Sequence, residues 1–150
     1  MKLASALSER ADIQTRIEEL AGRLNMNAKV QEGDVPAEDP KALLKELGGL
    51  LTRLEELVSR INLTNSQTLC EGKTLTELLA ERDVLAKKLG IYRSFLNEAS
   101  CRVNRYTKSE IKIVSTVDVA ALQKDVDRDS RALRELDEQI QTLNWTTELE

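Results

Sequence analysis

The chain has 150 residues, 41% hydrophobic, 32% charged and only 3% aromatic, which is long enough for a core of its own and matches long helices better than a sandwich or barrel. A net charge of −4, spread over 22 basic and 26 acidic residues that intersperse, excludes a broad phosphate-binding face and a polybasic lipid anchor. The reading is therefore a protein with no nucleic-acid and no membrane partner. The N-terminal "MKLASALSER" is no secretory signal, because Glu9 and Arg10 interrupt a short apolar stretch. Nor does any apolar run approach the ~20 residues of a membrane-spanning helix.

The first predicted helix runs from about Lys2 to about Lys29. Its apolar beat is Leu3, Ala6, Arg10, Ile13, Ile17, Leu20 and Leu24, a heptad seam with one charged interruption. The segment "QEGDVPAEDP" that follows is a loop, and Asp39-Pro40 reads as an N-cap with proline at the first helical position.

The second helix is predicted from Pro40 to about Thr68. Beside the beat Leu43, Leu47, Leu50, Leu54, Leu57 and Ile61 it carries a further file, Leu44, Leu51 and Val58. That stripe is wider than one partner seam covers, so the file is expected to make oligomer contacts. After "NLTN", where polar residues replace leucines, "CEGK" is a turn, and Thr74 with Glu77 makes a capping box.

The third helix is predicted from Thr74 to about Ala99, with the beat Leu75, Leu78, Arg82, Leu85, Leu89, Tyr92 and Leu96. Next, "CRVNRYTKSEIKIVST" breaks the helical period, and its alternating "EIKIVST" predicts a short strand or hairpin. The fourth helix is predicted from near Asp118 to about Glu148, on Val119, Leu122, Val126, Asp129, Leu133, Leu136, Ile140 and Leu143. The expected architecture is all-α: one domain over 1–150, an antiparallel, coiled-coil-like bundle of four long helices with a β-like hairpin between helices three and four. An offset of 72 residues aligns helix one with helix three, including Glu9-Arg10 with Glu81-Arg82; any two heptad helices align at some offset, so coincidence is favoured over a duplicated helical hairpin.

Little of this points to chemistry. Histidine is absent, which removes the commonest general base and metal ligand. There is no phosphate-cradling glycine loop, nucleophile elbow or cysteine cluster. No catalytic, cofactor or metal site is expected, and the protein reads as a non-enzyme. Cys70 and Cys101 flank a helix of about 25 residues that holds them roughly 40 Å apart, too far for a disulfide. They read as reduced thiols of a cytoplasmic protein.

Four smaller features carry weak signals. Asn62-Leu63-Thr64 and Asn144-Trp145-Thr146 match glycosylation acceptors by accident. Trp145 is expected as a core plug or packing anchor at one bundle end. Arg105, Tyr106, Lys108 and Lys112 form a small basic cluster that Glu110 dilutes, more in keeping with a solvated edge or subunit contact than with nucleic-acid binding. Antiparallel pairing of the helices would place Arg10, Arg82, Asn62, Asn65 and Asp137 in one cross-section, with Glu135 and Glu138 nearby. Such a buried polar layer reads first as a register device and second as a slot for an anionic ligand.

The stretches "NAKVQEGDVPAEDP", "RYTKSEIKIVSTVDVAALQK" and "LNWTTEL" resemble those of small bacterial helical proteins labelled septicolysin. The resemblance covers nearly the whole chain, implies a long-helix fold and, through the label alone, implies a pore-forming toxin. The residues themselves favour a self-associating scaffold or interaction protein, a homo-oligomer without cofactor. A pore-former is the alternative, and an anionic-ligand binder the weaker one.

Overall fold

In a computed structural model of the chain, residues 1–101 and 111–150 are described. The fold is all-α with bundle-like packing: α1 (Leu3–Met26), α2 (Pro40–Gln67), α3 (Leu75–Ser100) and α4 (Val119–Thr146). Between α2 and α3 lies a two-stranded antiparallel ladder of β1 (Leu69–Cys70) and β2 (Lys73–Thr74). The described residues group into two compact units, Met1–Thr76 with Gln141–Glu150, and Glu77–Ile140.

In the first unit α1 and α2 pair antiparallel. The α1 beat is buried at Leu3, Ala6, Ile13 and Leu20, and the α2 beat at Leu43, Leu57 and Ile61. Complete burial of each such leucine or isoleucine contributes about 1.5–3 kcal/mol. Asp39 caps α2 as expected, its carboxylate accepting from Lys41 N at 3.1 Å ahead of Pro40. The predicted end of α1 is corrected from Lys29 to Met26. Asn27 is buried there, donates from Nδ2 to Arg23 O at 2.9 Å and accepts Glu38 N at 3.0 Å, so it closes the helix and anchors the following loop.

The register of this pair is written in charge. Arg53 binds Glu9 and Arg16 binds Glu46 across the two antiparallel helices, and Arg23 binds Glu38 of the loop just ahead of α2. A slip of one heptad sets Glu9 against Glu46 in one direction and Arg16 against Arg53 in the other. Each slip thus turns a rung into a like-charge contact, although the second also sets Glu9 against Arg60 and Arg23 against Glu46.

The residues 147–150 tie back onto the same unit. Leu3 N donates to Thr147 O at 2.9 Å and Leu149 N to Met1 O at 2.8 Å, with Lys2 and Glu148 forming an isolated antiparallel bridge. Glu150 N donates to Thr64 Oγ1 at 3.0 Å, which satisfies that hydroxyl in its buried position, and Leu149 is buried beside it.

The strands appear where the sequence predicts only a turn. Glu71 (φ 51°) and Gly72 (φ 83°) both take positive φ, as a two-residue type I′ hairpin requires, and pair Leu69 with Thr74 and Cys70 with Lys73. The hairpin expected between helices three and four is corrected in turn. Residues 111–117 form no strand, and the remainder of that expectation, with Arg105, Tyr106 and Lys108, lies outside the described residues.

In the second unit, Leu89 and Leu96 of α3 pack with Val126 of α4, and Leu85, Val119, Leu122 and Leu133 close around them. Asp118 caps α4, accepting from Ala121 N at 3.1 Å.

Candidate interaction surface

Helix α2 carries two interleaved heptad seams. The inner one is Leu43, Leu47, Leu50, Leu54, Leu57 and Ile61, and its members are buried or half-buried. The outer one is Lys41, Leu44, Gly48, Leu51, Glu55, Val58 and Asn62, in alternating steps of three and four, and every member is exposed. Leu44 stays 57%, Leu51 47% and Val58 36% exposed, while Leu57 is at 0%. One helix thus builds a core on one side and presents an unpartnered apolar file on the other.

The charges sort the same way. On the inner flank Glu46, Arg53, Glu56 and Arg60 are engaged: Arg53 Nε and Nη2 donate to Glu9 at 2.7 and 3.0 Å, and Arg53 Nη1 to Glu56 at 2.8 Å. The Arg53 guanidinium holds the Glu9 and Glu56 carboxyls below their ordinary range, and Arg53 is itself raised by both. On the outer flank, among the described residues, no ion pair engages Lys41, Lys45 or Glu55.

Gly48 and Gly49 add a second oddity. A Cβ at either position would meet nothing within 4 Å. Nothing in the chain itself demands glycine there, yet each costs about 1 kcal/mol against alanine in an exposed helix interior. Sequence reasoning finds Leu44, Leu51 and Val58 but misses Gly48 and Glu55. The missed signal is the second 3–4 rhythm, offset by one residue from the first.

The five residues expected as a buried polar layer do not all behave as one. Arg82 and Asp137 of the second unit approach at 4.0 Å, but Arg82 bonds Asp83 more closely, at 2.8 Å, and both acids are half-exposed or more. In the first unit Asn62 is exposed and Asn65 half-buried. Arg10 is half-buried, and its Nε is buried without a hydrogen-bond partner. The physical reason is rotation: Asn62 continues the outer seam of α2, not the inner one. Trp145 likewise departs from its expected packing role, standing 65% exposed.

In the second unit the charged group that enters the core is Asp129 of α4, 8% exposed. Lys88 Nζ of α3 lies 2.7 Å from Asp129 Oδ2 and Arg128 Nε 3.4 Å from Oδ1, while Lys88 sits 5.1 Å over the Tyr92 ring. The Lys88 ammonium beside it holds the Asp129 carboxyl below its ordinary value, and the carboxylate raises Lys88 above its own, though the contact is a close ion pair that does not meet hydrogen-bond geometry at Oδ2. The period marks Asp129 as an interruption in the apolar beat. Lys88 carries no such mark, being just off the seam between Leu85 and Leu89.

A shallow cleft of about 410 Å³ in the second unit is lined by residues that include Arg93, Asn97, Gln123, Asp127 and Ser130. Arg93 Nη2 donates to Ser130 Oγ at 2.7 Å and Gln123 Nε2 to Asp127 at 2.9 Å, so the polar groups there bond one another across a mixed-sign surface. Among the described residues there is no group of three or more His, Cys, Asp or Glu placed to hold a metal, and no helix is long and apolar enough to cross a membrane.

An all-α, bundle-like protein with an unpartnered heptad face defines a structural class more than a chemistry, and the comparisons agree in kind. The chain belongs to a family of unknown function (DUF6847), whose model matches residues 10–149. It is similar, at 47% identity and TM-score 0.92 over 100% of this chain and 99% of the other, to a solved structure described as that of a functionally unknown conserved protein from Corynebacterium diphtheriae. No curated protein matches significantly. None of these relatives carries the septicolysin label that the sequence resemblance suggests.

Proposed function

We propose that the protein is a non-enzymatic helical interaction protein that self-associates through the outer face of α2. The observation that carries this is the exposed file Leu44, Leu51 and Val58 on a helix whose opposite side is already packed. A file repeating every seven residues matches a helical partner better than a flat or extended one. Cytoplasmic residence is part of the proposal; its support is the sequence, with only two cysteines, set near opposite ends of α3.

Light scattering across the micromolar range tests the reading. A mass above the 16.9 kDa of one chain is expected, falling to one chain for Leu44→Glu with Leu51→Glu while helical circular dichroism is kept. A single-chain mass for the unaltered protein at every concentration ends it.

A pore-forming activity of the septicolysin kind rests on the sequence resemblance alone. Dye release from liposomes at low protein-to-lipid ratio would promote it over the scaffold reading. The anionic-ligand reading retains Arg10 as its strongest element, because that side chain has a buried donor without a partner. A rise in melting temperature with a small dicarboxylate, lost in Arg10→Leu, would support it.

A further inference from the structure

The outer face of α2 holds more than an apolar file. Its seam runs Lys41, Leu44, Gly48, Leu51, Glu55, Val58 and Asn62, all exposed, with Lys45 on its flank. Both basic residues stand on the N-terminal half and the acid on the C-terminal half. Among the described residues none of the three charges has an ion-pair partner, whereas the inner flank of the same helix is paired rung by rung. At the centre, Gly48 leaves open space where any other residue would place a side chain.

Resting on the self-association reading, we infer that a second copy of this chain docks here as an antiparallel α2–α2 pair, about a twofold axis between Gly48 and Leu51. The geometry of a heptad seam then sets the layers. Leu51 of each copy enters the hole over Gly48 of the other, where the missing side chain lets the backbones approach. Leu44 packs on the stem of Glu55, and Val58 on the stem of Lys41. Each Glu55 carboxylate faces Lys41 and Lys45 of the other copy, and the twofold repeats that pairing. A parallel pair would set lysine against lysine and glutamate against glutamate, so the charge pattern chooses the direction. The glycine also acquires a reason that the single chain does not supply.

Disulfide trapping in a Cys70→Ser, Cys101→Ser background reads the geometry. Protein carrying Gly48→Cys, mixed with protein carrying Leu51→Cys, is expected to form a crosslinked heterodimer under mild oxidation. Lys41→Cys protein should not crosslink with itself, because antiparallel pairing sets its two copies roughly 25 Å apart at 1.5 Å per residue. Self-crosslinking of Lys41→Cys means a parallel pair; it overturns the inference and leaves self-association standing. An oligomer by light scattering without the Gly48–Leu51 crosslink does the same. A single-chain mass throughout removes both.

Two further variants separate interface from fold. Gly48→Leu should raise the melting temperature of the dilute monomer, since the site is open and leucine is the better helix former, yet weaken dimerisation at least tenfold. Glu55→Lys should weaken it by a similar factor, and adding Lys41→Glu with Lys45→Glu should restore it. Dimerisation that ignores both changes overturns the inference.

Discussion

Arg53 and Glu9 lie 44 positions apart and meet in two parallel hydrogen bonds, Nε to Oε1 at 2.7 Å and Nη2 to Oε2 at 3.0 Å. With Arg16–Glu46, and with Arg23–Glu38 just ahead of α2, they form a ladder along the antiparallel pair of α1 and α2. Reversal of one rung should therefore destabilise more than its removal. Glu9→Arg alone or Arg53→Glu alone is expected to lower the melting temperature, and the double swap to recover part of the loss, because the Arg53–Glu56 bond stays broken. Because the groups are a third exposed, the coupling should shrink in 1 M salt. Melting curves of the four proteins measure it, and strict additivity of the two singles would count against the register role.

Leu57 and Leu51 lie on the same helix, one buried and one exposed. Leu57→Ala should cost about 2–5 kcal/mol in dilute denaturant titrations. Leu51→Ala should stay within about 0.5 kcal/mol of the parent under the same conditions. Equal losses would mean the outer face is packed.

Acid stability follows from the carboxylates. Glu9 and Glu56 are held low by Arg53, Glu38 by Arg23, Glu148 by Lys2 and Asp129 by Lys88. Each binds its proton less readily folded than unfolded. Their contribution is thus present in full above the ordinary carboxylate range and lost as pH falls through the depressed values. The melting temperature should be level from neutral pH to about pH 5 and then decline. Asp129→Asn should make the decline shallower; a melting temperature that rises on acidification would contradict the assignment.

The Lys88–Asp129 pair is nearly buried on its acidic side. Asp129→Ala alone removes the partner of Lys88, whose side chain is 40% exposed and can turn to water, and leaves a small gap in the core, so it should lower the melting temperature modestly. Asp129→Leu with Lys88→Met should be close to neutral, since well-packed apolar residues often replace a buried pair without loss. Circular dichroism melts distinguish the two, and a double variant worse than the single would show that the pair stabilises the fold in its own right.

Arg10 occupies a core beat with its Nε buried and unbonded. A donor of this kind costs about 1–3 kcal/mol, so Arg10→Leu should stabilise by something on the order of 1 kcal/mol. A destabilised Arg10→Leu protein would show that the arginine side chain stabilises the fold in spite of its unbonded Nε.

The local features of this protein are legible in its sequence. Heptad spacing locates four helices and the beats that are buried in them, Asp39-Pro40 marks the start of α2, and the surplus file Leu44, Leu51 and Val58 stands out because one seam cannot use it. Those features follow from the 3.6-residue turn and from capping chemistry, which act within a few residues. Tertiary structure decides the rest. The strands at Leu69–Cys70 and Lys73–Thr74 depend on positive φ at Glu71, a conformation that residue type does not announce. The Arg53–Glu9 ladder and the Lys88–Asp129 pair join residues far apart in the chain, and Asn62 faces outward because rotation of α2 about its axis, set by the inner seam, leaves it there. A periodic pattern states which residues share a face. Which of two faces is covered depends on what the other helices bring to it.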